Sequence, residues 1–130
     1  MVRYFAAGNP AVEEDSLALT LAESLTEFKF ETLYDPLLLL ELKEPVVILD
    51  VATGVRGVRW LDARDSASLE RDRKMVSLHD FDLQFVLLFG NALDDLPPIR
   101  ILAVEMGLTP EQALPLVREA LKSPFPVAKD

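Results

Sequence analysis

Asp15, Asp50 and His79 are the residues of this chain whose types could share chemistry. Each falls at a change of pattern: Asp15 in the loop after the first apolar segment, Asp50 at the end of the central one, and His79 at the start of a helical stretch. Two carboxylates and an imidazole neutralise a divalent cation, suit nickel, zinc or manganese, and leave coordination positions open. A water attacking a peptide carbonyl could be polarised by such an ion while a free carboxylate assists as base. Each residue also has a plainer reading. Asp50 either ligates or merely ends a strand by bonding to loop amides. The acidic run Glu13-Glu14-Asp15 either serves a site or complements the positive end of a helix, and the same choice holds for Glu14 as the assisting base. His79, the single histidine, is either a ligand or an ordinary helix-start residue.

The elements that must position these residues follow from periodicity. Pro45-Val46-Val47-Ile48-Leu49-Asp50 is too short for a typical helix, and its unbroken apolar run predicts a central strand buried on both faces, as in a parallel sheet covered by helices. Asp50 then stands at the carboxyl edge, where open α/β sheets bind ligands. Val2 to Ala7 predicts a first strand ending at Gly8-Asn9-Pro10. Leu17, Ala18, Leu21, Ala22 and Leu25 draw one apolar helical stripe. Phe28 to Thr32 alternates as a half-exposed strand does, and Asp35-Pro36 caps a short leucine-rich helix through Leu42. After a turn at Thr53-Gly54, Val55 to Asp62 suits an edge strand or an extended flap, with Trp60 readable as simple core packing, and Ala63 to Lys74 suits a mobile surface loop. Ser77 reads as the N-cap of a buried helix running to Gly90. Ile99 to Val104 predicts a last strand. Thr109-Pro110-Glu111-Gln112 opens a final helix that Pro115 should kink, and Ser123-Pro124-Phe125-Pro126 cannot continue it. The order predicts an α/β fold in a single domain spanning residues 1–130: a doubly wound, twisted, mostly parallel sheet of about five strands with helices on both faces.

Composition narrows the function classes. The 130 residues carry 13 basic and 22 acidic side chains, a net charge of −9 that repels phosphate backbones and speaks against nucleic-acid binding. With no cysteine there is no disulfide, thiolate nucleophile or thiolate metal site, so a metal must be held by oxygen and imidazole, and a cytoplasmic location is expected. No apolar run approaches the roughly 18 residues of a membrane span, and neither a secretory leader nor a membrane partner is expected. There is no G-x-S-x-G elbow, no H-E-x-x-H helix and no glycine-rich phosphate cradle, since Ala6-Ala7-Gly8-Asn9-Pro10 holds one glycine. A doubly wound nucleotide or flavin binder is therefore the weaker alternative.

Four motifs in order resemble a known family, the hydrogenase maturation endopeptidases that trim the large subunit of nickel-iron hydrogenases. They are Gly8-Asn9-Pro10 followed by Glu14-Asp15, the strand end Leu49-Asp50-Val51, the Ser77-Leu78-His79-Asp80 pattern, and Gly107-Leu108-Thr109-Pro110 with a proline further into the helix. The chain departs from the family in having Ser16 where glycine usually follows the acidic pair, no glycine in Thr32-Leu33-Tyr34-Asp35-Pro36, and a short passage from Val104-Glu105-Met106 to Gly107. The resemblance implies that Asp15, Asp50 and His79 are both the catalytic and the metal-contacting residues. It implies a substrate, a hydrogenase large-subunit precursor, that brings its own nickel on cysteine thiolates and loses a C-terminal extension, with other divalent ions able to bind the free protein. A non-catalytic chaperone that binds the nickel-loaded subunit is the alternative function.

Overall fold

A computed structural model describes residues 1–7, 16–62, 77–78 and 97–123 of the chain. Its strands are β1 (Arg3–Ala6), β2 (Glu31–Thr32), β3 (Val46–Thr53), β4 (Val58–Asp62), β5 (Ser77–Leu78) and β6 (Ile99–Glu105), with helices α1 (Leu17–Ser24) and α2 (Pro110–Ala120). The sheet runs β2-β1-β3-β6-β4, with β5 pairing to β3 off that path. Neighbours β2, β1, β3 and β6 are parallel, while β4 on β6 and β5 on β3 are antiparallel. This is the expected doubly wound, mostly parallel α/β sheet, with one strand more than expected because the end of β3 takes a short antiparallel partner.

The central position of β3 follows from its composition. From Val46 through Ala52 every residue is buried, and its register with β6 runs from Val46 opposite Ile99 to Ala52 opposite Glu105. Strand alternation sends Val47, Leu49 and Val51 to one face, where they meet Leu17, Ala18 and Leu21 of α1 and Ala113 and Val117 of α2. Val46, Ile48 and Ala52 point the other way, into a cluster with Phe5, Leu33, Leu39, Val55 and Ile101. Leu39 lies in a 3-10 stretch, Pro36–Glu41, that starts at the expected cap: the Asp35 carboxylate accepts from the Leu37 N–H at 3.0 Å.

The final helix is built as its opening residues predict. The Thr109 hydroxyl accepts from Gln112 N–H at 3.2 Å and the Gln112 side chain accepts from Thr109 N–H at 3.0 Å, a complete capping box. The helix carries on through Pro115 to Ala120. The missing proline donor falls opposite the carbonyl of Glu111, an exposed first-turn residue that water can satisfy.

Three local expectations are corrected. The central strand does not end at Asp50 but runs on to Thr53, because β6 pairs with it as far as Ala52 and β5 takes up its last residues. The predicted strand from Phe28 narrows to Glu31–Thr32, because Thr26–Phe28 forms a 3-10 turn and Lys29 takes a left-handed conformation at φ 55° that interrupts the extended run. Ser77 is a strand residue opposite Thr53 and not a helix cap, since the last residues of β3 outrun β1 and leave an edge for a partner. The remainder of the expected helix to Gly90, and the loop from Ala63 to Lys74, lie outside the described residues.

Candidate functional site

Asp50 occupies the point where the strand order reverses. β1 stands on one side of β3 and β6 on the other, and the β1 pairing stops with Ala6 opposite Leu49 and Ala7 N–H on the Leu49 carbonyl at 2.9 Å. Backbone groups alternate along a strand, so Val51, two residues beyond Leu49, turns its N–H towards the side that β1 has vacated. The Asp50 carboxylate takes that donor: Oδ1 accepts from Val51 N–H at 2.8 Å. Two positions on, β5 fills the same side, with Leu78 opposite Ala52 and Ser77 opposite Thr53. Asp50 is thus a carboxylate only 2% exposed, oriented by a backbone amide, at a notch between the end of β1 and the end of β5. It is the one buried charged side chain among the described residues. A topological switch point at the carboxyl edge is where such folds bind ligands.

Beyond Asp50 the edge opens into a cavity of about 790 Å³ lined by residues 52–56 together with Glu105 and Met106. The loop that forms one wall is fixed rather than loose. Gly54 and Gly57 adopt φ of 81° and 66°, which a side chain would strain. Gly57 N–H donates to Glu105 Oε1 at 2.8 Å, and Glu105 N–H donates to the Gly57 carbonyl at 2.8 Å. Arg56, the residue before Gly57, is exposed and lines the cavity. A second hollow of about 430 Å³ lies between the starts of α1 and α2, lined by Ser16, Leu17, Thr20 and residues 106–110.

Of the three residues expected to share a site, the structure places Asp50. Asp15 and His79 lie outside the described residues. Their sequence neighbours are placed: Ser16 lines the second hollow, and Leu78 pairs with Ala52 of the strand that carries Asp50. Among the described residues, no three carboxylate or imidazole side chains gather around one point. Sequence reasoning missed the clamp between Gly57 and Glu105, absorbing Arg56 into an edge strand. The paired glycines at positions 54 and 57 were the available signal, since two left-handed positions three residues apart mark a built turn.

No protein-family model and no curated protein matches the sequence. Solved structures do match the fold. A [NiFe] hydrogenase maturation protease, HybD, from Thermococcus kodakarensis is similar over 95% of this chain and 99% of its own, with a TM-score of 0.59 and 17% identity. An uncharacterized protein from Wolinella succinogenes is similar over 93% of this chain and 96% of its own, with a TM-score of 0.54 and 17% identity. Such coverage at such low identity is a likeness of architecture, and the chain has the fold of a hydrogenase maturation protease.

Proposed function

We propose that the protein is an endopeptidase that removes the C-terminal extension of a nickel-iron hydrogenase large-subunit precursor after nickel insertion, in the cytoplasm. The observation that carries this reading is Asp50: a buried, amide-oriented carboxylate at the switch point of a sheet with the fold of HybD, a hydrogenase maturation protease. In this reading Asp15 and His79 join Asp50 at the notch. Leu78, one residue before His79, pairs with Ala52, and Ser16, one residue after Asp15, lines the hollow at the same carboxyl edge; both placements support the convergence.

Nickel is here part of the substrate. The chain has no cysteine, so it offers only oxygen and imidazole donors, which hold a divalent ion more weakly than the thiolates of the precursor would. Asp15, Asp50 and His79 complete the ion's coordination as the precursor docks, so that an empty precursor docks poorly. The docked peptide then lies beside carboxylates able to orient a water or accept its proton.

The test is the mass of a precursor incubated with this protein, with nickel loaded and without. Loss of the extension from the loaded form alone is the expected result. Stable binding of loaded precursor with its mass intact would instead identify a non-catalytic chaperone, and equal cutting of both forms would remove metal recognition.

A further inference from the structure

We infer that Arg56 is a specificity-determining residue, receiving a carboxylate of the substrate in the cavity next to Asp50; the inference rests on the peptidase reading above. Among the described residues lining that cavity the formal charges are those of Arg56 and Glu105. Glu105 is engaged, its Oε1 accepting from Gly57 N–H at 2.8 Å. Arg56 is exposed and forms no ion pair with the described residues. A guanidinium at a cavity without an ion-pair partner among the described residues stands out in a chain of net charge −9. The backbone of the next residue, Gly57, is held by its two bonds to Glu105, so binding has mainly the Arg56 side chain to order. A planar guanidinium matches a carboxylate in two parallel hydrogen bonds.

Position supports a role in reading the peptide. Ala52, which lines the cavity, follows Asp50 by two residues on the same face of β3, about 7 Å along the strand. An extended peptide covers that distance in about two residues. Arg56 lines the same cavity as Ala52, so the carboxylate it reads belongs to the part of the substrate on the extension side of the scissile bond, as an acidic side chain of the extension or as its C-terminus.

Steady-state cleavage of nickel-loaded precursor by the wild-type protein, R56E, R56K and K43E tests this. Lys43 is an exposed cation ahead of β3, at the opposite edge of the sheet, and controls for net charge. The expected result is a KM raised about fivefold or more in R56E with kcat held, a smaller rise in R56K, which keeps the charge but loses the paired hydrogen bonds, and no change in K43E. Two altered precursors locate the anion, one with the acidic side chains of the extension changed to amides and one with an amidated C-terminus. The altered precursor that no longer distinguishes wild-type protein from R56E has lost the group Arg56 reads. An unchanged KM in R56E, an equal rise in K43E, or full discrimination retained on both altered precursors overturns the inference and leaves the peptidase reading standing. No cleavage by the wild-type protein overturns both.

Discussion

Replacing Asp50 separates its two jobs, satisfying the Val51 N–H where the β1 pairing stops and doing chemistry. Its Oδ1 accepts from Val51 N–H at 2.8 Å in a site only 2% exposed. Asp50→Asn keeps a carbonyl oxygen in nearly the same place, so the Val51 donor stays satisfied while the charge goes. Stability should stay within about 1 kcal/mol of native, the scale of one net hydrogen bond. Asp50→Ala leaves that donor buried without an acceptor, costing about 1–3 kcal/mol. With a urea m-value of roughly 1.5 kcal/mol/M, a 2 kcal/mol loss lowers the unfolding midpoint by about 1 M. Both variants should lose processing of nickel-loaded precursor by about a hundredfold or more, the usual worth of a positioned acid–base group. The decisive measurements are urea midpoints alongside precursor mass over time. Native-rate cleavage by Asp50→Asn refutes a chemical role for the carboxylate. A midpoint for Asp50→Asn as low as that of Asp50→Ala refutes the idea that its fold contribution is the Val51 bond.

Other perturbations test the frame around the site. Thr109→Ala removes the capping box and should cost about 1 kcal/mol, seen as a thermal midpoint several degrees lower, while Thr109→Ser should hold most of it. Ile48→Ala, at a fully buried position of β3, should cost about 2–5 kcal/mol by denaturant unfolding and lower the yield of folded protein. Arg118 Nε donates to Glu27 Oε1 at 2.9 Å and holds that carboxyl below its ordinary range. A folded value below the unfolded one means that the pair stabilises above the ordinary carboxylate range and fades as pH falls through the folded value. Native protein should therefore exceed Glu27→Gln in stability slightly at neutral pH and match it in strong acid; a gap that persists in acid would assign the difference to packing.

The parts of the fold legible in the sequence are those where one local signal decides the outcome. The apolar run 46–49 could be satisfied only by burial on both faces, and Thr109, Pro110 and Gln112 fix a helix start through their own hydrogen bonds. Ser77 misled because its capping signal is local, whereas its strand conformation depends on Thr53, which lies 24 positions earlier and which no nearby residue announces. Phe28 misled for the opposite reason: hydrophobic alternation continued through Lys29, but the left-handed backbone there breaks the extended run. For the site, Asp50 could be found because the apolar run breaks at a carboxylate there, although β3 itself runs on to Thr53. For the clamp, the glycines at 54 and 57 signal a turn, but Glu105 as its partner lies 48 positions away and nothing local announces it.

The length mismatch between neighbouring strands accounts for why a carboxylate belongs at position 50. β6 accompanies β3 as far as Ala52, but β1 leaves it after Leu49, so Val51 turns a donor to a side with no strand. An apolar residue at position 50 would leave that N–H buried without a local acceptor, at a cost of about 1–3 kcal/mol. Extending β1 would satisfy it but close the notch. An acidic side chain satisfies it and keeps the notch open, bringing a charge to the sheet edge under backbone control. The carboxylate that takes the Val51 donor, three residues before β3 ends, therefore lies beside the gap between β1 and β5, and the two plain readings of Asp50, backbone acceptor and site residue, are not alternatives.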